Sequence, residues 1–343
     1  MLEEIRQQPL ALERTLKGAL RSVEKFRQLM RKRRPRLLVL VARGTSDNAA
    51  LFGRYLLEIT TGIPVSLAAP SIATLYQARM DFSDSLVVAI SQSGESTDTN
   101  LVLERARGEG AVTLGITNEK SSTLARLAEH VFLVRAEKEK SVAATKTYTG
   151  QMLMLYLLAF ALDGGVRMAE LERVPEAVES ALRLEPEVWA LSERYRYMRY
   201  AVVVGRGLNY SNAFELSLKL METCYVVAER FSTADLLHGP IALVEPSFPV
   251  FAFTPAGVTW ASMKETLAKL QSLQAEIVAI TDRANREVDA RATKVMRLPR
   301  RLKEVLTPIP YIVPGQMFAA CLAAQKGLDP DHPRTLHKVT LTL

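Results

Sequence analysis

The chain has 343 residues, 48% of them hydrophobic and 24% charged, with a formal net charge of +7. That composition is globular and long enough for two packed domains or one large one. Two cysteines, Cys224 and Cys321, lie far apart without C-x-x-C spacing, which excludes a disulfide framework and a zinc site, and four histidines without metal-site spacing predict no metal.

The start, M-L-E-E-I-R-Q-Q-P, is acidic and amphipathic. It lacks the basic start, apolar middle and small-residue cleavage site of a secretion signal, so a soluble, cytoplasmic protein is expected. Residues 1–36 read as a helical arm closed by the basic cluster R-K-R-R-P-R at 31. Cations at a helix end complement its dipole and face solvent. No aromatic-rich strand or helix-turn-helix pattern accompanies the cluster, so no nucleic-acid partner is expected. The longest apolar run, 152–162, stops at Asp163-Gly164-Gly165 and is too short to span a bilayer; it reads as a buried helix, with no membrane partner.

Short apolar runs recur along the chain at an almost fixed offset. Residues 37–41, 86–90, 112–116 and 130–134 match 201–204, 249–253, 277–280 and 294–298 in order, and Gly94 and Gly257 stand 163 positions apart. Each run is continuously apolar, as in strands covered on both faces. Helical stretches at 47–58 and 122–129 in the first half, and at 211–229 and 262–273 in the second, alternate with them. The pattern predicts an α/β fold of two tandem doubly wound parallel-sheet domains, at 37–165 and 199–330. A helical connector at 166–198 and a tail at 331–343 complete the chain.

The loop S-Q-S-G-E-S-T-D-T at 91 gathers five hydroxyls in nine residues without a cation. It lies where a strand enters a helix, and unpaired amides and the helix dipole suit a phosphate there. Surplus helix capping fits the same residues equally well. No P-loop and no G-x-G-x-x-G after the first strand is present, which disfavours nucleotides. Gly44-Thr45-Ser46 closes the preceding strand, bringing a second hydroxyl-bearing loop to the same crevice.

In the second half, Glu215, Lys219 and Glu222 share one helical face by their spacing. Spacing alone favours an exposed ion-pair ladder, although Phe214, Leu218, Leu220 and Met221 flank it. His238 sits in a His-Gly-Pro turn before a strand-like run, a position that serves function or capping alike. Lys338, in the closing T-L-H-K-V-T-L-T-L, reads by default as solvated.

Taken together, A-R-G-T-S-D-N-A at 42, S-Q-S-G-E-S-T-D-T at 91, S-V-A-A-T-K-T-Y-T at 141, F-E-L-S-L-K-L-M-E at 214, His-Gly-Pro at 238 and the H-K-V-T tail closely resemble the sugar isomerase (SIS) domain family. The match is to its double-domain members, such as the isomerase half of glutamine-fructose-6-phosphate aminotransferase. The resemblance implies that Ser46, Ser91, Gln92, Ser93 and Ser96 hold a sugar phosphate while Thr45 and Val142 line the sugar. Glu222 would move a proton between C1 and C2, His238 open the ring, and Lys338 form or polarise an imine at C2. Lys219 would stabilise oxyanion charge, and Glu215 and Glu139 orient the sugar. It further implies a homodimer in which His238 reaches the neighbouring site, and no cofactor.

The family's aminotransferases begin with a cysteine nucleophile and a glutaminase domain, whereas here Leu2 follows Met1, so no ammonia release from glutamine is expected of this chain. They also carry a cysteine where Arg43 stands; A-R-G-[ST]-S-D is more like the SIS-type glucosamine-6-phosphate deaminases. Ala144 replaces a serine near the sugar. The expectation is an aldose-ketose isomerase of a 6-phosphoamino sugar, deaminating glucosamine 6-phosphate to fructose 6-phosphate and ammonia. The alternatives are the synthetic direction with ammonia or a separate glutaminase subunit, a fructosamine-phosphate deglycase, and a non-enzymatic sugar-phosphate sensor.

Overall fold

A computed structural model of the chain describes residues 1–336 and Lys338; His337 and 339–343 of the tail, and with them all of the H-K-V-T motif but Lys338, lie outside the described residues. In chain order the elements of the first half are α1 (Leu2–Arg6), α2 (Gln8–Lys32), β1 (Leu37–Val41), α3 (Thr45–Thr61), β2 (Val65–Leu67), α4 (Pro70–Thr74), β3 (Ser85–Ile90), α5 (Thr97–Gly108), β4 (Val112–Thr117), α6 (Thr123–Leu127), β5 (His130–Leu133) and α7 (Lys146–Ala161). The connector forms α8 (Met168–Leu171), α9 (Val174–Leu182) and α10 (Glu185–Arg194). The second half follows with β6 (Tyr200–Gly205), α11 (Tyr210–Cys224), β7 (Val227–Ser232), α12 (Thr233–Leu237), β8 (Pro249–Phe253), α13 (Trp260–Ser272), β9 (Glu276–Asp282), β10 (Lys294–Leu298) and α14 (Pro308–Gln325).

Two five-stranded parallel sheets result, ordered β2-β1-β3-β4-β5 and β7-β6-β8-β9-β10. Both share one winding, which reverses between the first and third strand of each sheet. Val41 pairs with Ala89, and Val204 with Ala252, so the strands on either side of each reversal end level and leave a crevice beyond their carboxyl ends.

By contacts the chain forms two compact units: Gln7–Glu139 with Lys146–Arg173 and Lys338, and Met1–Arg6 with Lys140–Thr145 and Val174–Leu336. In the first-sheet unit, α2 buries Leu12, Leu16, Ala19, Val23, Phe26 and Met30, a helical stripe whose Phe26 ring meets Phe132 at 5.5 Å. Helix α7 is buried around almost its whole circumference, as its unbroken apolar run requires. In the second-sheet unit, the equally buried α14 sets Phe318 against Phe251 of β8 at 4.8 Å, with Tyr195 closing the cluster. Among the described residues no helix is long and apolar enough to cross a membrane.

Two local expectations are corrected. The helix expected over 211–229 ends at Cys224, where Tyr225 turns left-handed (φ 54°), and the following residues form the edge strand β7. Its first three residues alternate outward and inward, Val227 being 64% exposed, Ala228 buried and Glu229 exposed, which is the signature of a strand with one wet face. The run after His-Gly-Pro is a 3-10 turn over Pro240–Leu243, not a strand, because Pro240 fixes the first φ and donates no ladder hydrogen bond.

Phe251→Ala should cost about 3–5 kcal/mol of stability by emptying the ring cluster; the urea midpoint reads this, and Phe251→Leu should lose far less.

Candidate active site

In the first-sheet unit the two hydroxyl loops lie beside the β1/β3 reversal. Thr45 and Ser46 open α3, and Ser96 caps α5. Gly94, at φ 70°, lets the loop turn sharply, and a Cβ there would meet Ser122 Oγ at 2.2 Å. Hydrogen-bond direction sorts the hydroxyls. Ser46 Oγ accepts from Gln151 Nε2 at 2.9 Å, Ser91 Oγ from the Gly94 amide at 3.0 Å, and Ser93 Oγ from the Glu95 amide at 3.3 Å. Each keeps its own proton to donate. Ser96 instead spends its proton inside the loop, on Asp98 Oδ1 at 2.8 Å or Thr99 Oγ1 at 3.0 Å. Half-buried Gln92 uses its carbonyl to accept from the Asn118 amide at 3.1 Å.

The first turn of α5 already carries a carboxylate, the buried Asp98, which alone would repel an anion. Arg43, from the β1 loop, donates to Asp98 Oδ2 and compensates it. The sequence reading missed this pair, 55 residues apart, and also Gln151 and Asn100, whose Nδ2 donates to the Gly94 carbonyl at 3.1 Å. Gln151 was findable as an amide heading the apolar run 152–162, since a buried polar side chain among apolar neighbours is the informative exception.

Glu139 is buried in the same unit. Its carboxylate accepts from the Thr147 amide at 3.2 Å, Thr147 Oγ1 at 2.6 Å and Lys338 Nζ at 2.9 Å. Lys338 is thus ion-paired, and the solvated default is corrected.

In the second-sheet unit the spacing of Glu215, Lys219 and Glu222 does place them together, but not as an exposed ladder. Glu215 and Lys219 side chains are both 0% exposed and Glu222 is 24% exposed. Lys219 Nζ lies 3.4 Å from Glu215 Oε1 and 2.6 Å from Glu222 Oε2. Burial pulls the Lys219 ammonium down, but the carboxylates of Glu215 and Glu222 outweigh it and hold it above the ordinary lysine value. Glu222 Oε1 has no partner among the described residues. Asn212 Nδ2 holds the start of α11 to the Pro308 carbonyl at 2.8 Å. His238 closes α12, exposed, and its imidazole bonds to no described residue, so it stands apart from the triad. Val142 is half-buried and donates its amide to the Asp331 carbonyl at 3.4 Å. No group of three or more metal-ligating side chains occurs among the described residues.

The SIS domain profile matches residues 31–161 and 198–325. Glutamine-fructose-6-phosphate aminotransferase (isomerizing) from Pyrococcus horikoshii is 35% identical over 98% of this chain. The chain spans 57% of that relative's length. The C-terminal domain of glucosamine-fructose-6-phosphate aminotransferase from Francisella tularensis superposes with a TM-score of 0.87 at 29% identity, covering 97% of this chain and 98% of that one. Glucosamine-6-phosphate deaminase from Thermotoga maritima shares the fold, with a TM-score of 0.71 at 21% identity over 97% and 100% of the two chains.

Lys219→Met should lose about 3–5 kcal/mol, because it leaves buried carboxylate without its cation. A group whose folded pKa is raised stabilises fully below its unfolded value and ceases to as pH climbs through the folded one. The stability difference between the parent and Lys219→Met should therefore hold steady from pH 7 to 10 and shrink above 10.5, read by urea denaturation across pH.

Proposed function

Because the chain belongs to the SIS domain family, we propose that it isomerises a 6-phosphoamino sugar, deaminating glucosamine 6-phosphate to fructose 6-phosphate and ammonia. The observation that carries the reading is the buried Glu215–Lys219–Glu222 cluster, wet only at Glu222. Burying an ammonium and two carboxylates costs several kcal/mol per ion, and apolar side chains of similar volume would stabilise the helix as well or better. A function that needs charge inside a dry wall accounts for their presence.

In this reading the phosphate accepts hydrogen bonds from the Ser46, Ser91 and Ser93 hydroxyls, whose protons are uncommitted, with the Gln92 and Ser93 amides beside them. The buried amide oxygens Asn100 Oδ1 and Gln151 Oε1, unpartnered among the described residues, accept from sugar hydroxyls or water. His238, exposed and uncommitted, opens the ring, and a partner subunit in a homodimer is the expected user of it. Glu222 takes the C2 proton on its open Oε1 and returns it to C1. Lys219, always charged, stabilises the oxyanion that forms between these steps. The resulting C2 imine is hydrolysed, directly or after transfer to Lys338, and ammonia leaves. Glu215 and Glu139 set the positions of Lys219 and Lys338, and Thr45 and Val142 line the sugar.

Arg43 supports deamination, standing where the family's aminotransferases carry cysteine. The names of the 35% identical relatives favour the opposite direction, amination of fructose 6-phosphate, as the second reading. An assay of ammonia release from glucosamine 6-phosphate, run beside fructose 6-phosphate with added ammonia, separates the two. Turnover in neither sinks the proposal.

Glu222→Gln should lower kcat by about 10²–10⁴-fold with little change in KM; full activity in that variant would remove Glu222 from the chemistry. Ser91→Ala and Ser93→Ala should each raise KM about tenfold, the worth of one hydrogen bond to a charged oxygen. Ser96→Ala should raise it less, since Ser96 has no free proton to give.

A further inference from the structure

The second sheet has its own reversal, between β6 and β8, and the loop T-P-A-G-V-T at 254 beyond β8 takes no part in the function proposed above. Its register with the hydroxyl loop is close. Gly257 and Thr259 stand 163 positions after Gly94 and Ser96, and Thr259 caps α13 as Ser96 caps α5. Both glycines have positive φ, 70° and 146°. The difference is what lies against them. A Cβ added to Gly257 would meet Glu304 Oε2 at 2.0 Å and the Glu304 carboxyl carbon at 2.9 Å.

The Glu304 carboxylate therefore lies on the backbone of this loop. Its Oε1 accepts from Thr259 Oγ1, and its Oε2 is buried without a partner among the described residues. No Lys or Arg among them pairs with it. The charge instead lies against Thr259, the N-cap residue of the 13-residue helix α13, at the end where a negative charge is favoured. Glu304 also precedes the first residue of α14 by four positions, as Val142 precedes the first residue of α7. It thus holds, in the second repeat, the register position of a residue assigned to the sugar in the first.

We infer that Glu304 is a built-in anion that fills the second crevice in the place of a phosphate, so that each chain holds one sugar phosphate and not two. This rests on the proposed phosphate cradle of the first half. A phosphate entering the second crevice would collide with the carboxylate and be repelled by it. The loop is also poorer in donors, because Pro255, opposite Gln92, has no amide proton and Ala256 replaces the hydroxyl-bearing Ser93.

Calorimetric titration of the full chain with inorganic phosphate tests the inference, using the parent, Glu304→Ser and Glu304→Gln. The parent should take one equivalent per chain. Glu304→Ser should take two, and its melting temperature, lowered by about 5 °C, should recover in phosphate but not in chloride of equal ionic strength. Glu304→Gln, which keeps the volume and a bond to Thr259, should stay at one. A folded Glu304→Ser that gains no equivalent overturns the inference, and so does a parent that already takes two. If the parent takes none, the cradle of the first half is refuted instead, and Glu304 is still judged by whether its serine variant gains one. Should Glu304→Ser fold poorly, refolding yield in phosphate against chloride decides: a higher yield in phosphate supports the plug, and equal yields overturn it.

Discussion

Lys219 carries its charge with no exposed surface at all, between Glu215 at 3.4 Å and Glu222 at 2.6 Å, and the second-sheet unit is arranged around that fact. A single exposed ion pair would contribute under about 1 kcal/mol and could be placed anywhere on a helix. A dry one needs a lid and an anchor. Helix α14 packs along α11 at Leu216 and Cys224, and the Asn212 bond to the Pro308 carbonyl anchors the start of α11. The geometry leaves one carboxylate oxygen reachable, on Glu222, while Lys219 and Glu215 fix its orientation from within.

The two repeats have kept one fold and divided the work. Both reverse direction between the first and third strand and both present a helix N-terminus there. In the first, Arg43 neutralises Asp98, which returns the positive end of α5 to a ligand. In the second, Glu304 lies against Thr259, the N-cap residue of α13, with no cation among the described residues to offset it. One internal carboxylate is compensated and the other is not, and in the proposed reading that difference makes one crevice receptive to anions and the other closed.

The sheets were legible because their central strands are continuous apolar runs that recur at a fixed offset. The edge strands were not: β2 has three residues, and β7 begins only two residues beyond α11, after the left-handed Tyr225 and Val226, so its Val-Ala pair extends the apolar run of the helix in sequence. In the site, periodicity placed Glu215, Lys219 and Glu222 on one face but carried no information on whether that face is covered. The pairing of Lys338 with Glu139 spans 199 positions and has no local signature. The roles of these residues came from the resemblance of ordered motifs, not from spacing.

A hydroxyl loop without lysine then has a physical logic. Neutral donors can hold a dianion only if their protons are free and already aimed, since they contribute no long-range attraction to correct a poor fit. Ser46, Ser91 and Ser93 meet the first condition because a fixed amide donor, from Gln151, Gly94 and Glu95, occupies one lone pair of each and leaves its own proton uncommitted. Preorganisation of this kind replaces net charge. For the proposed sugar phosphate it would also keep the ligand exchangeable, as turnover requires, where a buried lysine would add a charge-charge term to every step, productive or not.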